Sequence, residues 1–350
     1  MSVGPGTAVA DRVAGPLQMA RSAVVLGTAH LGQGSLLAEG AVIRSGHGGV
    51  RVGTGSAVLE NSVVLGAAGT PTMIGRRSTF GHRCLVIEAT VGDLCEIGNA
   101  STLMPGAQLG DRVFLGEGTV VPPGVSLPSE VVAVGRPARI LRSASRDDLR
   151  RLAGLRSGDL TVPAPTTIAV DSRQEAIPMG QLYAYRGILP TIASSATLFP
   201  TAELTGDVVV GENTIIGAGV KIIGDSHGPV RIGDSVQILE NTVLHLLPDN
   251  ELVIDDGAII GPGAMIHGCR IGARSIVEPG AIVCDGSVLG AFCVVRAGAV
   301  VKQRAQFAAG TDIDGLPAVS VGRISQPPPM PSWAFRSDDL PVPAPGGPRP

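Results

Sequence analysis

An aliphatic residue returns about every sixth position along this chain, usually followed by glycine or another small residue. From Ile74 the sequence reads IGRRST, FGHRCL, then after a five-residue step VGDLCE, IGNAST, LMPGAQ, LGDRVF and LGEGTV. The later half gives VGENTI, IGAGVK, IIGPGA, IGARSI and VLGAFC. Neither the period of an amphipathic helix nor that of a half-buried strand produces this pattern. Short strands separated by tight turns do: the aliphatic side chain points inward, and the small residue lets the backbone turn without a Cβ clash. One such turn cannot bury its apolar face alone. Stacked, about three hexapeptides to a coil, the turns form a continuous core, and their backbones pair with the coils above and below at about 4.8 Å. The expected fold is all-β, a parallel β-helix.

The pattern is written twice, at a nearly constant offset of 180 residues. Leu59–Asn61 and Leu239–Asn241 both read LEN, His47-Gly48 matches His227-Gly228, and Pro137-Ala138 matches Pro317-Ala318. RSGDLTVPAP from Arg156 matches RSDDLPVPAP from Arg336. The expected organisation is two tandem β-helices: a first copy over 1–156, a linker over 157–180, a second copy over 181–325 and a Pro-rich, extended tail over 326–350. The first copy ends in a short helix near 145–153, where Ser145 can cap SRDDLRRLAG, acids fill the first turn and Gly154 follows the end.

Aromatic residues make up only 3% of the chain while hydrophobic residues reach 44%, so the core is built from small aliphatics. The net charge is −3, without a basic run or an aromatic-interleaved Lys/Arg patch, which argues against a nucleic-acid partner. No apolar run approaches a membrane span, and the first residues lack the charged and apolar regions of a signal peptide. Five cysteines, an odd number without a CxxC pair, fit a reducing, cytoplasmic setting and small core residues.

Six histidines occur. The segments ENTVLH and IIGPGAMIHGCRIG resemble the γ-class carbonic anhydrases, a family of left-handed hexapeptide β-helices. The resemblance implies left-handed coils and a zinc, iron or cobalt ion held by three histidines where two β-helices meet. Two of those ligands come from one β-helix and the third from its neighbour. Carried over, the first ligand position holds His245 in the second copy and Leu65 in the first. The second position holds Pro262 and His82, and the last holds His267 and Ile87. Neither copy has the set, but together they supply each ligand once: His245 and His267 on one wall, His82 from the facing copy. The spacing agrees for the first pair, since His245 follows Leu244 and His267 follows Ile266, one coil apart in the same slot. The opposite pairing of faces gathers Leu65, Ile87 and Pro262 and can hold no metal. His47 and His227 fit loop-structural roles.

The same resemblance places an Arg and an Asp across the interface, here Arg44 and Asp225, with the register of Arg44 open by one residue. The family's active-site glutamine is replaced by Leu239, and by Leu59 in the other copy. Glu240, its counterpart Glu60, and Glu278 are the remaining candidates for moving a proton, although glutamates at such turns more often serve structure. The expected function is metal-dependent activation of water for CO2 hydration or a related lyase or hydrolase reaction on a small-molecule substrate, in a homo-oligomer with the two copies packed pseudo-symmetrically. A non-catalytic β-helix scaffold and an acyl-CoA-dependent acyltransferase are the alternatives. The second needs a long loop bearing a catalytic histidine, whereas Leu246–Glu251 is short and Gly66–Thr72 has none.

Overall fold

The computed structural model describes residues 15–67, 69–156, 158–171, 180–225 and 228–336. It is an all-β solenoid of about 16 turns with one short helix. Its parallel strands fall into two stacks of coils, and among the described residues no strand of one pairs with a strand of the other. The N-terminal stack ends at Arg139–Ser143, and the C-terminal stack runs from Gln181–Tyr183 to Ala318–Arg323.

Each coil contributes a strand to three faces, called sheets I, II and III in chain order. Sheet I contains Ala57–Val58, Thr79–Phe80, Glu96–Ile97 and Phe114–Leu115 in the N-terminal stack. In the C-terminal stack it contains Ile215–Ile216, Gln237–Ile238, Ile259–Ile260, Ile276–Val277 and Val294–Val295. Sheet II contains Val63–Gly66, Leu85–Ile87, Thr102–Leu103 and Val120–Val121 in the first. In the second it contains Lys221–Gly224, Val243–Leu244, Met265–Ile266, Ile282–Val283 and Val300–Val301.

Alternation along each two-residue strand follows from the pleat. The second residue, such as Val86, Leu103, Ile266 or Val283, enters the stack's own core, and the first faces outward. The turn between sheets I and II repeats one conformation. Asn61, Arg83, Ala100 and Gly118 have φ of 57°, 58°, 55° and 61°, and the residues 180 positions on, Asn241, Gly263, Gly280 and Gly298, have 55°, 65°, 68° and 67°.

Both stacks finish alike. The last parallel strand, Val131–Val134 or Thr311–Gly315, turns back into an antiparallel strand, and both hairpins break register at equivalent positions, Val132/Ala133 and Asp312/Ile313. Helix Arg146–Gly154 stands where the Ser145 cap and its following acids predict it, with the Ser145 hydroxyl accepting from Asp148 N and the Asp148 carboxylate accepting from Ser145 N. Its Leu152 is fully buried with Leu94 and Phe114, and Arg156 bonds Thr79 and Glu96, so the helix covers part of sheet I. Within the expected linker, Thr167–Asp171 is a strand, antiparallel to Thr28–Gly32. Thr28–Gly32 alternates with Ala29 and Leu31 apolar, Thr167–Asp171 carries the apolar run Ile168–Val170, and the pairing covers an otherwise open sheet edge.

The two stacks pack face to face. Sheet II of the N-terminal stack lies on sheet I of the C-terminal stack, burying Val63, Leu65, Leu85 and Ile87 against Leu239, Ile259, Ile276 and Val294. Gly263 abuts this layer closely, since a Cβ on it would stand 3.0 Å from the Leu85 side chain. The start of the tail also differs from a solvated, extended segment: Trp333, Ala334 and Phe335 are buried in this interface. Phe335 stacks on Phe199 at 4.7 Å, and its backbone exchanges hydrogen bonds of 2.8 and 3.1 Å with the Gln237 side chain. Residues 337–350 lie outside the described residues.

Candidate metal-binding face

His245 and His267 arise from the coil geometry itself. Leu244 pairs with Ile266, and His245 N donates to Ile266 O, so the two histidines follow aligned strands on neighbouring coils. Both project from the outward side of sheet II in the C-terminal stack and are half-buried. Their ring centroids are 6.2 Å apart and the rings are nearly perpendicular, at 84°. Asp285 Oδ2 stands 3.6 Å from His267 Nδ1, beyond hydrogen-bond distance. Asp285 is held in turn by Leu247 N at 3.2 Å. Cys284 lies on the next coil of the same face, and burial together with Asp285 pushes its thiol pKa up.

His82 stands elsewhere. It follows Thr79–Phe80 on sheet I of the N-terminal stack, exposed, with Nδ1 2.7 Å from Glu60 Oε2 and its backbone N bonded to Asn99. Among the described residues no group of three or more His, Cys, Asp and Glu side chains could hold a metal ion. The reason lies in which faces meet. The interface inside the chain is the pairing without histidines: Leu65 and Ile87 are buried in it, and Pro262, also buried, precedes the Gly263 that abuts Leu85. The face with two histidines and the one with His82 both point away from it. Two imidazoles thus lie side by side on one open face, and among the described residues the chain brings no third donor to them.

The remaining candidates are placed as follows. Arg44 pairs with Leu65, while Ile222 pairs with Leu244, so Arg44 matches Ile223, 179 residues on. The open register is resolved by a one-residue slip between the stacks. Arg44 Nε donates to Glu240 Oε1 at 2.6 Å, its Nη2 donates to Trp333 O, and its guanidinium lies 4.3 Å above the Phe335 ring. Arg44 is 7% and Glu240 0% exposed, so this ion pair sits inside the interface, away from the histidines and from solvent. Asp225 follows strand Lys221–Gly224, one coil before His245. Glu278 binds Arg296 at 3.2 Å and Ala297 N at 2.9 Å. Burial raises its pKa against the pull of Arg296, as for a structural carboxylate in an ion-pair network. His47 lies in strand Val42–Val52, with its side chain outside the described residues, and His227 lies outside them altogether.

One feature had no signal in the residue pattern, a cleft of about 410 Å³ where the stacks diverge, lined by Glu39, Glu60 and Asn61 on one side and Glu203, Lys221 and Asn241 on the other. At its floor Asn241 Nδ2 donates to Gly40 O at 2.9 Å and to Asn61 O at 3.1 Å.

No family model matches the chain. It is 31% identical over 144 residues to the carnitine operon protein CaiE of Proteus sp. (strain LE138), a match covering 41% of this chain and 73% of that protein. The chain belongs to the hexapeptide-repeat left-handed β-helix family. Within this hexapeptide-repeat family, a carbonic anhydrase of Geobacillus kaustophilus is 37% identical over 109 residues, 31% of this chain and 59% of that protein. Among solved structures, a hexapeptide transferase family protein from Anaplasma phagocytophilum is 28% identical, with a TM-score of 0.40 over 41% of this chain and 85% of that one. Among the described residues no helix is long and apolar enough to cross a membrane.

Proposed function

We propose that this chain is a duplicated, γ-carbonic-anhydrase-like subunit made of two left-handed β-helices. Its His245–His267 pair holds a divalent metal ion together with a third imidazole from a facing molecule. The observation that carries this reading is the alignment of the two histidines on consecutive coils of an open face, rings 6.2 Å apart, in the segment whose motifs resemble that family. Zinc bound by three neutral imidazoles supplies a Lewis-acid centre that activates water near neutral pH. The chain's own part is to place two donors side by side on consecutive coils, with the Asp285 carboxylate beside His267. Leu239 at the glutamine position leaves the reaction open between CO2 hydration and a related hydration or hydrolysis. His82 is the complementary half: a single exposed imidazole oriented by Glu60, suited to a facing pair rather than to the pair on its own chain.

The test is metal content. Protein purified in its native assembly without chelator should carry close to one zinc, iron or cobalt per His245–His267 pair, and His267→Ala should lose it. Metal-free native assembly by elemental analysis would overturn the reading. A CO2-hydration assay on the metal-loaded assembly then separates the candidate reactions.

A further inference from the structure

We infer that the seam between the two stacks holds a peptide-binding groove, and that residues 333–335 occupy it as a ligand in cis. They form a clasp that leaves and rejoins the groove while both stacks stay folded. The groove adjoins sheet I of the C-terminal stack, and its role is independent of the metal-binding reading of the histidines on sheet II.

The clasp is not held as a coil is held. Ile324 N donates to Gly310 O, and among the described residues no backbone group after it bonds to the backbone of a coil; Ala334 N turns back to Pro331 O. Side chains grip this backbone instead. The Gln237 amide accepts from Phe335 N at 2.8 Å and donates to Phe335 O at 3.1 Å, and Arg44 Nη2 donates to Trp333 O. The Phe335 ring lies 4.7 Å from the ring of Phe199 and 4.3 Å from the Arg44 guanidinium. Main-chain amides paired at few points, with one buried aromatic anchor, are the means by which an extended peptide is bound. Arg44 belongs to the N-terminal stack, and Phe199 and Gln237 to the C-terminal one, so the bound clasp ties the two together.

The repeat does not account for this contact. The first copy has Ala153 and Leu155 where the tail has Trp333 and Phe335, and Leu155 is 45% exposed at the end of its helix. That helix covers sheet I of its own stack at Leu94 and Phe114. In the C-terminal stack the matching stretch of sheet I, Ile259, Ile276 and Val294, is covered by the N-terminal stack. The tail passes it by and seats at Phe199 and Gln237.

The connection to the clasp has slack. Gln237, Ile259, Ile276, Val294 and Asp312 succeed one another down sheet I. Four steps of about 4.8 Å make about 19 Å. The nine residues 324–332 reach about 30 Å when extended. Ser325, Gln326, Pro327, Pro329 and Met330 are exposed. The clasp can therefore lift out without unpairing the final hairpin, and its leash returns it at high effective concentration. Glu240 Oε2, on the carboxylate that Arg44 holds, is buried without a hydrogen-bond partner. The closed seam thus keeps an unmet acceptor, which weakens its hold.

Trp333 is the chain's single tryptophan, so its emission reports the clasp alone. In denaturant, the full-length chain should expose Trp333 to acrylamide before its circular dichroism falls. Phe335→Ala should move the first transition to lower denaturant and leave the second nearly in place. Gln237→Ala, which keeps the aromatic packing, should do the same to a smaller extent. A full-length chain carrying a specific protease site after Gln326 gives the binding measurement. Cut and diluted, it should keep its circular dichroism and bind a labelled peptide of residues 327–350 with a dissociation constant on the order of 1–100 μM. The same peptide with Phe335→Ala should bind on the order of a hundredfold more weakly. Coincident loss of Trp333 protection and circular dichroism would overturn the proposal, since the tail would then belong to one cooperative core. So would unfolding on cutting, or a cut tail that does not exchange with the labelled peptide.

Discussion

At the scale of single residues, the contrast is between side chains that serve the interface and those that face out of it. Arg44 and Glu240 are a buried ion pair, and removing one partner strands a charge in a low-dielectric interface. Arg44→Ala should therefore cost about 3–5 kcal/mol in denaturant unfolding, while the joint change Arg44→Met, Glu240→Leu should cost clearly less. A single variant as mild as the double would show that the pair is solvated. The cysteines give a second contrast. Cys84 and Cys95 are pushed up to about 12 by burial, Cys269 is raised as well, and Cys293 is buried, whereas Cys284 is half-exposed on the histidine face. Thiol labelling of the native chain should therefore show one accessible site and four that react only on unfolding, with Cys284→Ser removing the accessible one. Residue identity made much of this legible. The stacking of His245 and His267 follows from the six-residue count. The resemblance led to the expectation that His82 would face them from the other copy, but inside the chain it stands apart beside Glu60, and the pairing that forms there is that of Leu65, Ile87 and Pro262. Arg44 was legible only to within one residue, because the slip that fixes its register falls between Ser45 and Val50, where the two copies differ in sequence as well as spacing.

At the scale of elements, the repeat specifies strands because each needs only one inward aliphatic and one turn, both local properties. The helix was legible for the same reason, since its cap is written as Ser145 followed by Asp147 and Asp148 in the first turn. Losing this cap in Ser145→Ala should cost about 1 kcal/mol. Hydrogen bonds from Arg142 and Ser145 hold the Asp148 pKa well below the ordinary carboxylate range. A lowered folded pKa adds stability above the unfolded value, and this is lost as pH falls through the folded one. The advantage of wild type over Asp148→Asn in thermal unfolding should thus be complete above about pH 5 and close only well below about pH 3.9. An advantage already gone at pH 4 would contradict the capping geometry. The pairing of Thr167–Asp171 with Thr28–Gly32 and the burial of Trp333–Phe335 were not legible. Both segments lack the hexapeptide spacing, and their conformation is imposed by distant partners rather than by local sequence.

At the scale of the whole molecule, the tandem repeat announced two similar units, but composition and period say nothing about which faces of similar prisms meet. The copies do differ along that interface: Gly263 stands at the turn where the first copy has Arg83, and Leu65 stands on sheet II where the second has His245. The interface should behave as a core. Leu85→Ala, removing a side chain 4% exposed at its centre, should cost about 2–5 kcal/mol and lower the unfolding temperature, whereas Met265→Ala at the equivalent open position should cost under about 1 kcal/mol. Equal effects at the two positions would mean that the stacks do not pack as described.

The hairpins that finish each stack carry a consequence of their own. A parallel coil ladder has no intrinsic length: its last rung offers the same unpaired N–H and C=O groups as every rung before it, and an identical ladder could continue from there. Strands Arg139–Ser143 and Ala318–Arg323 reverse direction at that rung, and most of their side chains are exposed. An arriving coil would meet a strand of the wrong polarity with its outer edge in water, so end-to-end growth into fibres is blocked twice in one chain. Assembly is left to the sides of the prisms, where contacts are made by side chains and can therefore select their partner.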